Sequence, residues 1–121
     1  VSATVPESLF WSRKNTLQSW TAYLAGQHGS ESVAQYAAPA RATDLSKLPP
    51  VYLPVGALDG FLHDHFAFVE RLLDAGVATE LHVFPGAFHA FDAFAPQAQV
   101  TQRFVAERNA ALRRALAIEG K

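Results

Sequence analysis

The stretch Thr79-Glu-Leu-His-Val-Phe-Pro-Gly-Ala-Phe-His-Ala-Phe-Asp92 contains a short strand followed by a polar loop. Leu81 and Val83 alternate with Glu80 and His82, which predicts a strand over Thr79–Phe84 with one wet face, as at a sheet edge. Pro85-Gly86 ends this strand. His89 then lies in the loop just beyond the strand's carboxyl end.

An apolar run precedes this stretch at residues 50–58, which read Pro-Val-Tyr-Leu-Pro-Val-Gly-Ala-Leu. Such a run, bounded by Pro49 and by Asp59-Gly60, is typical of a strand buried on both faces of a parallel sheet. Pro54 is unexpected inside an inner strand because it cannot donate to a hydrogen-bond ladder and is usually found at an edge or a bulge.

A helix is predicted between the two strands. It begins at Leu62 or Asp64, where Asp64 is available as an N-terminal cap, and it ends at Gly76 as a left-handed terminator. Strand, helix and strand in this order predict a right-handed parallel crossover unit. The sequence therefore indicates an α/β fold.

Two further helices are expected at either side of this unit. Residues 13–25 have apolar side chains at three- and four-residue steps, followed by Gly26 at the position of a C-terminal cap. Residues 27–50 are loop-like, and residues 97–118 predict a long helix. The apolar stripe of that helix consists of Val100, Phe104, Ala111, Leu112 and Ala115.

Length and composition limit the possible classes of protein. The 121 residues are 50% hydrophobic and 17% charged, with a net charge of −1, which is typical of one soluble globular domain. The balanced charge argues against nucleic acid or a membrane surface as a partner, and no apolar segment is long enough to span a bilayer. The absence of cysteine excludes disulfides and leaves the compartment open, with the cytoplasm favoured over secretion.

Asp59 and His89 are the candidate catalytic residues. Each follows the carboxyl end of a predicted strand, where open parallel sheets place their functional side chains. An aspartate that accepts from one imidazole nitrogen fixes the tautomer and leaves the other nitrogen as a general base. Position alone leaves two alternatives open. Asp59 could be a simple turn residue, and His89 could be a histidine packed in the core.

Aromatic residues surround these two positions in the sequence. We expect them to form an apolar wall that excludes water from Asp59 and His89. We expect Phe61 and Phe88 in particular to contact a substrate. The full set consists of Phe61, Phe84, Phe88 and Phe91.

Several blocks, in order, resemble the hormone-sensitive-lipase-like group of α/β-hydrolases. They are Tyr36-Ala-Ala-Pro-Ala-Arg41, Asp44-Leu45 followed by Leu48-Pro49-Pro50, Gly56-Ala-Leu-Asp59-Gly-Phe-Leu62, Glu70-Arg-Leu-Leu-Asp-Ala-Gly-Val77 and Glu80-Leu-His-Val-Phe-Pro-Gly-Ala-Phe-His-Ala-Phe-Asp92. The resemblance implies a doubly wound, mostly parallel sheet, carboxylic ester hydrolysis and a serine, acid and histidine triad without a cofactor. Asp59 would be the acid and His89 the base.

The sequence departs from this family at identifiable positions. His63-Asp64 stands where the family usually has an acidic pair, and Ala90 stands where glycine commonly follows the triad histidine. No Gly-x-Ser-x-Gly motif occurs, since none of the seven serines has glycine on both sides at the required spacing. The glycine-rich oxyanion loop is missing too, and His28-Gly29-Ser30 resembles it only superficially.

These absences favour a partial domain. With no methionine, Val1 is not an initiator, so we interpret residues 1–121 as the C-terminal portion of an α/β-hydrolase whose nucleophile lies on an absent N-terminal portion. Alone, such a chain should be close to inert. We expect its exposed sheet face to be covered by a second copy of the chain or by the missing N-terminal half.

Three other functions fit parts of the pattern. The same fold could host peptidase, amidase or acyl-transfer chemistry, or a non-catalytic interaction domain could have kept the scaffold without the nucleophile. Metal binding through His63, Asp64 and His65 with His82 or His89 is disfavoured, because His-x-His spacing on a helix does not place both rings on one face. The sequence therefore predicts no metal site.

Overall fold

The computed structural model describes residues 11–117 as a two-stranded parallel sheet with helices packed against it. The elements follow the predicted order, with two short helical segments added. In sequence they are α1 (Arg13–Tyr23), a 3₁₀ turn (Pro39–Arg41), β1 (Val51–Gly56), α2 (Leu62–Asp74), β2 (Thr79–Phe84), α3 (Phe91–Phe94) and α4 (Gln99–Ala115).

The two strands form the predicted strand, helix and strand unit. Their parallel register runs from Val51 opposite Thr79 to Gly56 opposite Phe84. Both strands therefore end at the same edge of the sheet, and the loops that follow them begin side by side. The α/β architecture expected from the sequence is confirmed.

Pro54 lies inside β1, and the hydrogen-bond pattern explains why it is tolerated. Val51 N donates to Ala78 O and Ala57 N donates to Phe84 O, both at 2.9 Å. Because donors alternate along a strand, the odd-numbered residues of β1 face β2 and the nitrogen of Pro54 faces the opposite edge. Within residues 11–117 that edge pairs with no other strand, so the proline removes no hydrogen bond of the described sheet.

One face of the sheet packs against α2. Leu72 is fully buried between Leu45 and Val77, and Leu53 and Phe68 pack around this group. The helix ends as predicted, with Gly76 in the left-handed region at φ 75°.

The start of α2 differs from one of the two predicted positions. The helix begins at Leu62 with Phe61 as its N-cap residue, so Asp64 lies inside the first turn and is not the cap. Asp59 supplies a side-chain acceptor just before the helix, donated to by Phe61 N at 2.9 Å. The local turn around Asp59 therefore moves the helix start towards the amino terminus.

The opposite face packs against α4 through aromatic rings. Phe84 and Phe91 are buried, and Phe104 of α4 contacts them edge to face with ring centroids 5.5 and 5.1 Å away. Such contacts stabilise a cluster beyond the apolar area that they bury. This cluster anchors α4 beneath the loop that carries His89.

The buried face of α4 agrees with the predicted stripe at Val100 and Phe104, which pack against the aromatic cluster, and at Ala111, and it differs at the other two positions. Thr101 and Ala111 are its buried residues, whereas Leu112 is 57% exposed and Ala115 is also exposed. Charged residues of the same helix bind polar groups of β2, as described below. The predicted end at residue 118 lies outside the described residues.

The solvent-facing side predicted for β2 is observed only in part. Glu80 and His82 form ion pairs with α4 and have side chains 44% and 28% exposed, whereas Val83, on the side predicted to be buried, is 39% exposed. The alternation of polar and apolar residues along the strand contains no information about the charged partners that α4 brings to Glu80 and His82.

Helix α1 buries none of its residues within the described part of the chain. Ser12 caps it by accepting from Asn15 N, and Leu17, Trp20 and Tyr23 stay exposed. Its apolar side chains are therefore available to a further surface. None of the described helices is both long and apolar enough to cross a membrane.

Candidate active site

Asp59 is fixed by a tight turn at the carboxyl end of β1. Its amide donates to Gly56 O at 3.0 Å, and its Oδ1 accepts from Phe61 N at 2.9 Å. The residue is 8% exposed. This turn occupies one carboxylate oxygen and leaves Oδ2 directed away from the helix start.

His89 meets that second oxygen. Its Nδ1 lies 3.1 Å from Asp59 Oδ2, although the two residues are thirty positions apart. The histidine side chain is 36% exposed and that of the aspartate 12%. In the tautomer that donates from Nδ1, the lone pair is on Nε2, which is the arrangement needed for a general base. The approach expected from the two strand ends is therefore observed.

The loop after β2 is held against β1 by backbone contact at Gly56. Leu58 N donates to Ala87 O at 2.9 Å, and a Cβ on Gly56 would lie 2.3 Å from that same oxygen. Only a residue without a side chain permits this approach. Gly56 was not singled out from the sequence, because its partner lies in a distant loop.

Ala90 has an uncommon backbone conformation immediately after His89. Its φ of 59° and ψ of 26° are in the left-handed region, where it forms the N-cap of α3. Alanine carries a steric cost in this region that glycine does not. Glycine is common at this position in the family that the sequence resembles, and the backbone here does adopt the left-handed conformation that favours glycine.

The aromatic surroundings of His89 differ in part from the prediction. Within residues 11–117 the aromatic rings that contact the His89 ring are those of Phe61 and Trp11, with ring centroids 5.5 and 5.8 Å away. The ring of Phe88 instead contacts Phe94 at 6.3 Å. Phe84 and Phe91, expected in the wall, belong to the buried cluster with α4.

Trp11 was not expected at this site. Its indole Nε1 donates to Thr16 Oγ1 at 2.9 Å, which ties the ring to the start of α1. No local spacing connects residue 11 with residue 89, so only the folded structure reveals this contact. It places one end of α1 beside His89.

The histidines considered as metal ligands are engaged separately. His65 Nδ1 lies 2.8 Å from Phe61 O, and both ring nitrogens of His82 face glutamates. Across residues 11–117, no group of three or more histidine, aspartate or glutamate side chains is arranged to hold a metal ion.

A protein-family profile described as alpha/beta hydrolase fold matches residues 2–93 of this chain. The chain belongs to the α/β-hydrolase family, in its hormone-sensitive-lipase-like group. No curated protein sequence matches it.

Solved esterase structures are similar to this α/β-hydrolase chain. A bacterial heroin esterase is 42% identical, with a TM-score of 0.76, and the match covers 86% of this chain and 33% of that one. The esterase LipW from Mycobacterium marinum is 35% identical, with a TM-score of 0.78 and coverage of 85% and 32%. The chain thus spans about a third of the length of the structures it matches.

The same fold occurs in a more distant solved structure. An esterase from Pyrobaculum calidifontis is 23% identical, with a TM-score of 0.79, and the match covers 94% of this chain and 36% of that one. At this identity the similarity shows the fold alone. The sheet and helices described here are therefore retained where most side chains differ.

Proposed function

We propose that this chain supplies the acid, Asp59, and the base, His89, of a serine carboxylester hydrolase. The observation that carries the proposal is the 3.1 Å contact between Asp59 Oδ2 and His89 Nδ1 at the carboxyl edge of a parallel sheet. The similarity to two esterases at 35% and 42% identity supports an ester substrate.

The pair would act by moving one proton in each direction. His89 Nε2 takes the proton of a serine hydroxyl while that oxygen bonds to the ester carbonyl carbon, and it then returns the proton to the departing alcohol. Water repeats the sequence on the acyl-serine, which releases the carboxylic acid and regenerates the serine. Asp59 holds the ring orientation and stabilises the imidazolium form.

The nucleophile in this proposal lies on a segment outside these 121 residues. None of the seven serines stands in a Gly-x-Ser-x-Gly sequence, which builds the exposed nucleophile in this fold. Without the serine and the oxyanion donors, the isolated chain is expected to show no ester turnover above background. The non-catalytic alternative shares this expectation, so the complete enzyme has to be tested.

The edge of β1 that pairs with no strand among residues 11–117, together with the exposed side chains of α1, supports a covering partner. Leu17 and Trp20 on α1 are 47% and 37% exposed. We propose that an upstream half-domain covers these surfaces in the complete enzyme, and that a second copy of the chain covers them when it is alone.

A chimaera tests the proposed roles. The upstream two-thirds of the bacterial heroin esterase would be joined to this chain and assayed with a p-nitrophenyl ester of a short acid. We expect turnover to fall by at least about 10³-fold in His89→Ala and by about 10³- to 10⁴-fold in Asp59→Asn, because the base and its orientation are lost.

His63→Ala is the matched control, since His63 is exposed on α2 and has no role in the proposal. It should retain the activity of the parent chimaera. If the parent hydrolyses the ester and His89→Ala does so equally well, the proposed role of His89 is wrong. Circular dichroism of each variant separates loss of folding from loss of chemistry.

A further inference from the structure

A second titratable cluster lies on the sheet face covered by α4. His82 Nδ1 is 2.7 Å from Glu107 Oε2 on α4, and His82 Nε2 is 2.7 Å from Glu80 Oε1 on the same strand. The carboxylates are themselves paired, Glu107 with Arg103 at 2.6 Å and Glu80 with Arg114 at 2.7 Å. The five charged groups form a continuous row from β2 to α4.

The geometry selects the charged form of His82. A neutral imidazole has one N–H and one lone pair, so it can donate to only one of two carboxylates. With both ring nitrogens at hydrogen-bond distance from carboxylate oxygens, both must carry protons. Loss of one proton would leave a lone pair facing a carboxylate oxygen, and one of the two contacts would have to break.

The surroundings of the ring agree with this assignment. Partial burial lowers the pKa of His82, but the hydrogen bonds with Glu107 and Glu80 outweigh that effect and raise the pKa above its ordinary value of 6.5. Hydrogen bonds from Arg103 and then from His82 lower the pKa of Glu107. Both shifts favour the ionised forms, protonated His82 and deprotonated Glu107.

Tyr52 is the titratable group that faces His82 from β1. Its ring lies 5.2 Å from the imidazole, and its buried hydroxyl has no hydrogen-bond partner among residues 11–117. Burial, and then the charges of Glu107 and Glu80, raise the pKa of Tyr52 above 10.0. Tyr52 thus stays neutral wherever His82 titrates and adds no charge of its own.

We propose that the row Arg103, Glu107, His82, Glu80 and Arg114 is a pH-dependent latch that fastens α4 to β2 and loosens when His82 loses a proton. It requires no catalytic activity of the chain, so it stands independently of the proposed hydrolase function. Because α4 also covers Phe84 and Phe91, the latch lies on the helix that supports the loop of His89.

The sign of the pH effect follows from the raised pKa. A group whose pKa is higher in the folded state contributes its full stability below the unfolded value of 6.5 and loses it as the pH rises through the folded value. The lowered pKa of Glu107 sets the acidic limit, since its contribution is lost as the pH falls through the folded pKa of this carboxyl group. The latch is therefore closed between these two titrations.

NMR and thermal unfolding of the 121-residue chain test the latch. We expect the ¹⁵N titration of the His82 ring to have its midpoint above 6.5 and to move to lower pH in Glu107→Gln. The Tm difference between the parent and His82→Gln should be at least about twice as large near pH 6 as near pH 9. His63→Gln is the control and should show the same small difference at both pH values.

Two results would overturn the latch. One is a His82 midpoint at or below 6.5, which would mean that the two carboxylates do not hold the proton. The other is a His82→Gln effect on Tm that does not change between the two pH values. Glu107→Gln keeps the size of the side chain, so it supplies the NMR result even where His82→Gln does not fold.

Discussion

Ala90 carries backbone strain at the residue that follows His89. Its left-handed φ of 59° brings the Cβ close to its own carbonyl oxygen, at a cost of about 1–2 kcal/mol relative to glycine. Because glycine also loses more conformational entropy on folding, we expect Ala90→Gly to raise the free energy of unfolding by a net amount of about 0.5–1 kcal/mol. Urea denaturation measures this difference.

Ala67→Gly is the matched control for this substitution. Ala67 is an exposed residue inside α2, where glycine destabilises a helix by about 1 kcal/mol. The two variants should therefore change stability in opposite directions. A loss of stability in Ala90→Gly of the same size as in Ala67→Gly would show that the left-handed conformation is not strained.

Individual site residues differed in how far the sequence could predict them. Asp59 and His89 were predictable because each follows a strand, and parallel strands end at one edge. Trp11 and Gly56 were not, since their importance depends on contacts with His89 and Ala87, which lie far away in the chain. Local patterns report strand ends well, but they do not report which distant backbone or ring will approach.

The orientation of α4 is the feature of secondary structure that the sequence predicted least well. The strands, α2 and the presence of α4 follow from hydrophobic runs and from turn residues. Val100 and Phe104 pack as that pattern predicts, but Glu80 and His82 also form ion pairs with Arg114 and Glu107 of the helix. Apolar periodicity alone counted Leu112 as a core residue because it contains no information on these ion pairs.

Two substitutions within the predicted stripe of α4 distinguish the position that packs on the sheet from one that does not. Phe104 packs between Phe84 and Phe91, so Phe104→Ala should lower the free energy of unfolding by about 2–4 kcal/mol. Leu112 is 57% exposed, so Leu112→Ala should change it by less than about 0.5 kcal/mol. Both values come from chemical denaturation, and equal losses would instead support the stripe read from the sequence.

One edge of β1 pairs with no other strand of residues 11–117. We expect the isolated chain to self-associate there, since a free strand edge presents backbone donors and acceptors to another strand. Pro54→Val would add an N–H to that edge, and one more hydrogen bond of about 0.5–1.5 kcal/mol should tighten self-association roughly 3- to 10-fold. Sedimentation velocity over a dilution series measures the change.

Pro49→Val serves as the control for this experiment. Pro49 is exposed and lies before β1, outside both strands, so its replacement should leave the association constant unchanged. A parent chain that remains a 13.1 kDa monomer at every concentration would exclude self-association. Equal association of Pro54→Val and the parent would move the contact away from this edge.

The backbone contact between Gly56 and Ala87 has a consequence for how such an enzyme assembles. Main-chain atoms of a single crossover unit set the separation of Asp59 and His89. That separation therefore does not depend on contacts with another segment. In the proposed enzyme, a nucleophile-bearing partner would dock onto a pair whose separation is already set. Errors in docking would then misplace the serine relative to the imidazole while leaving the carboxylate and the imidazole aligned.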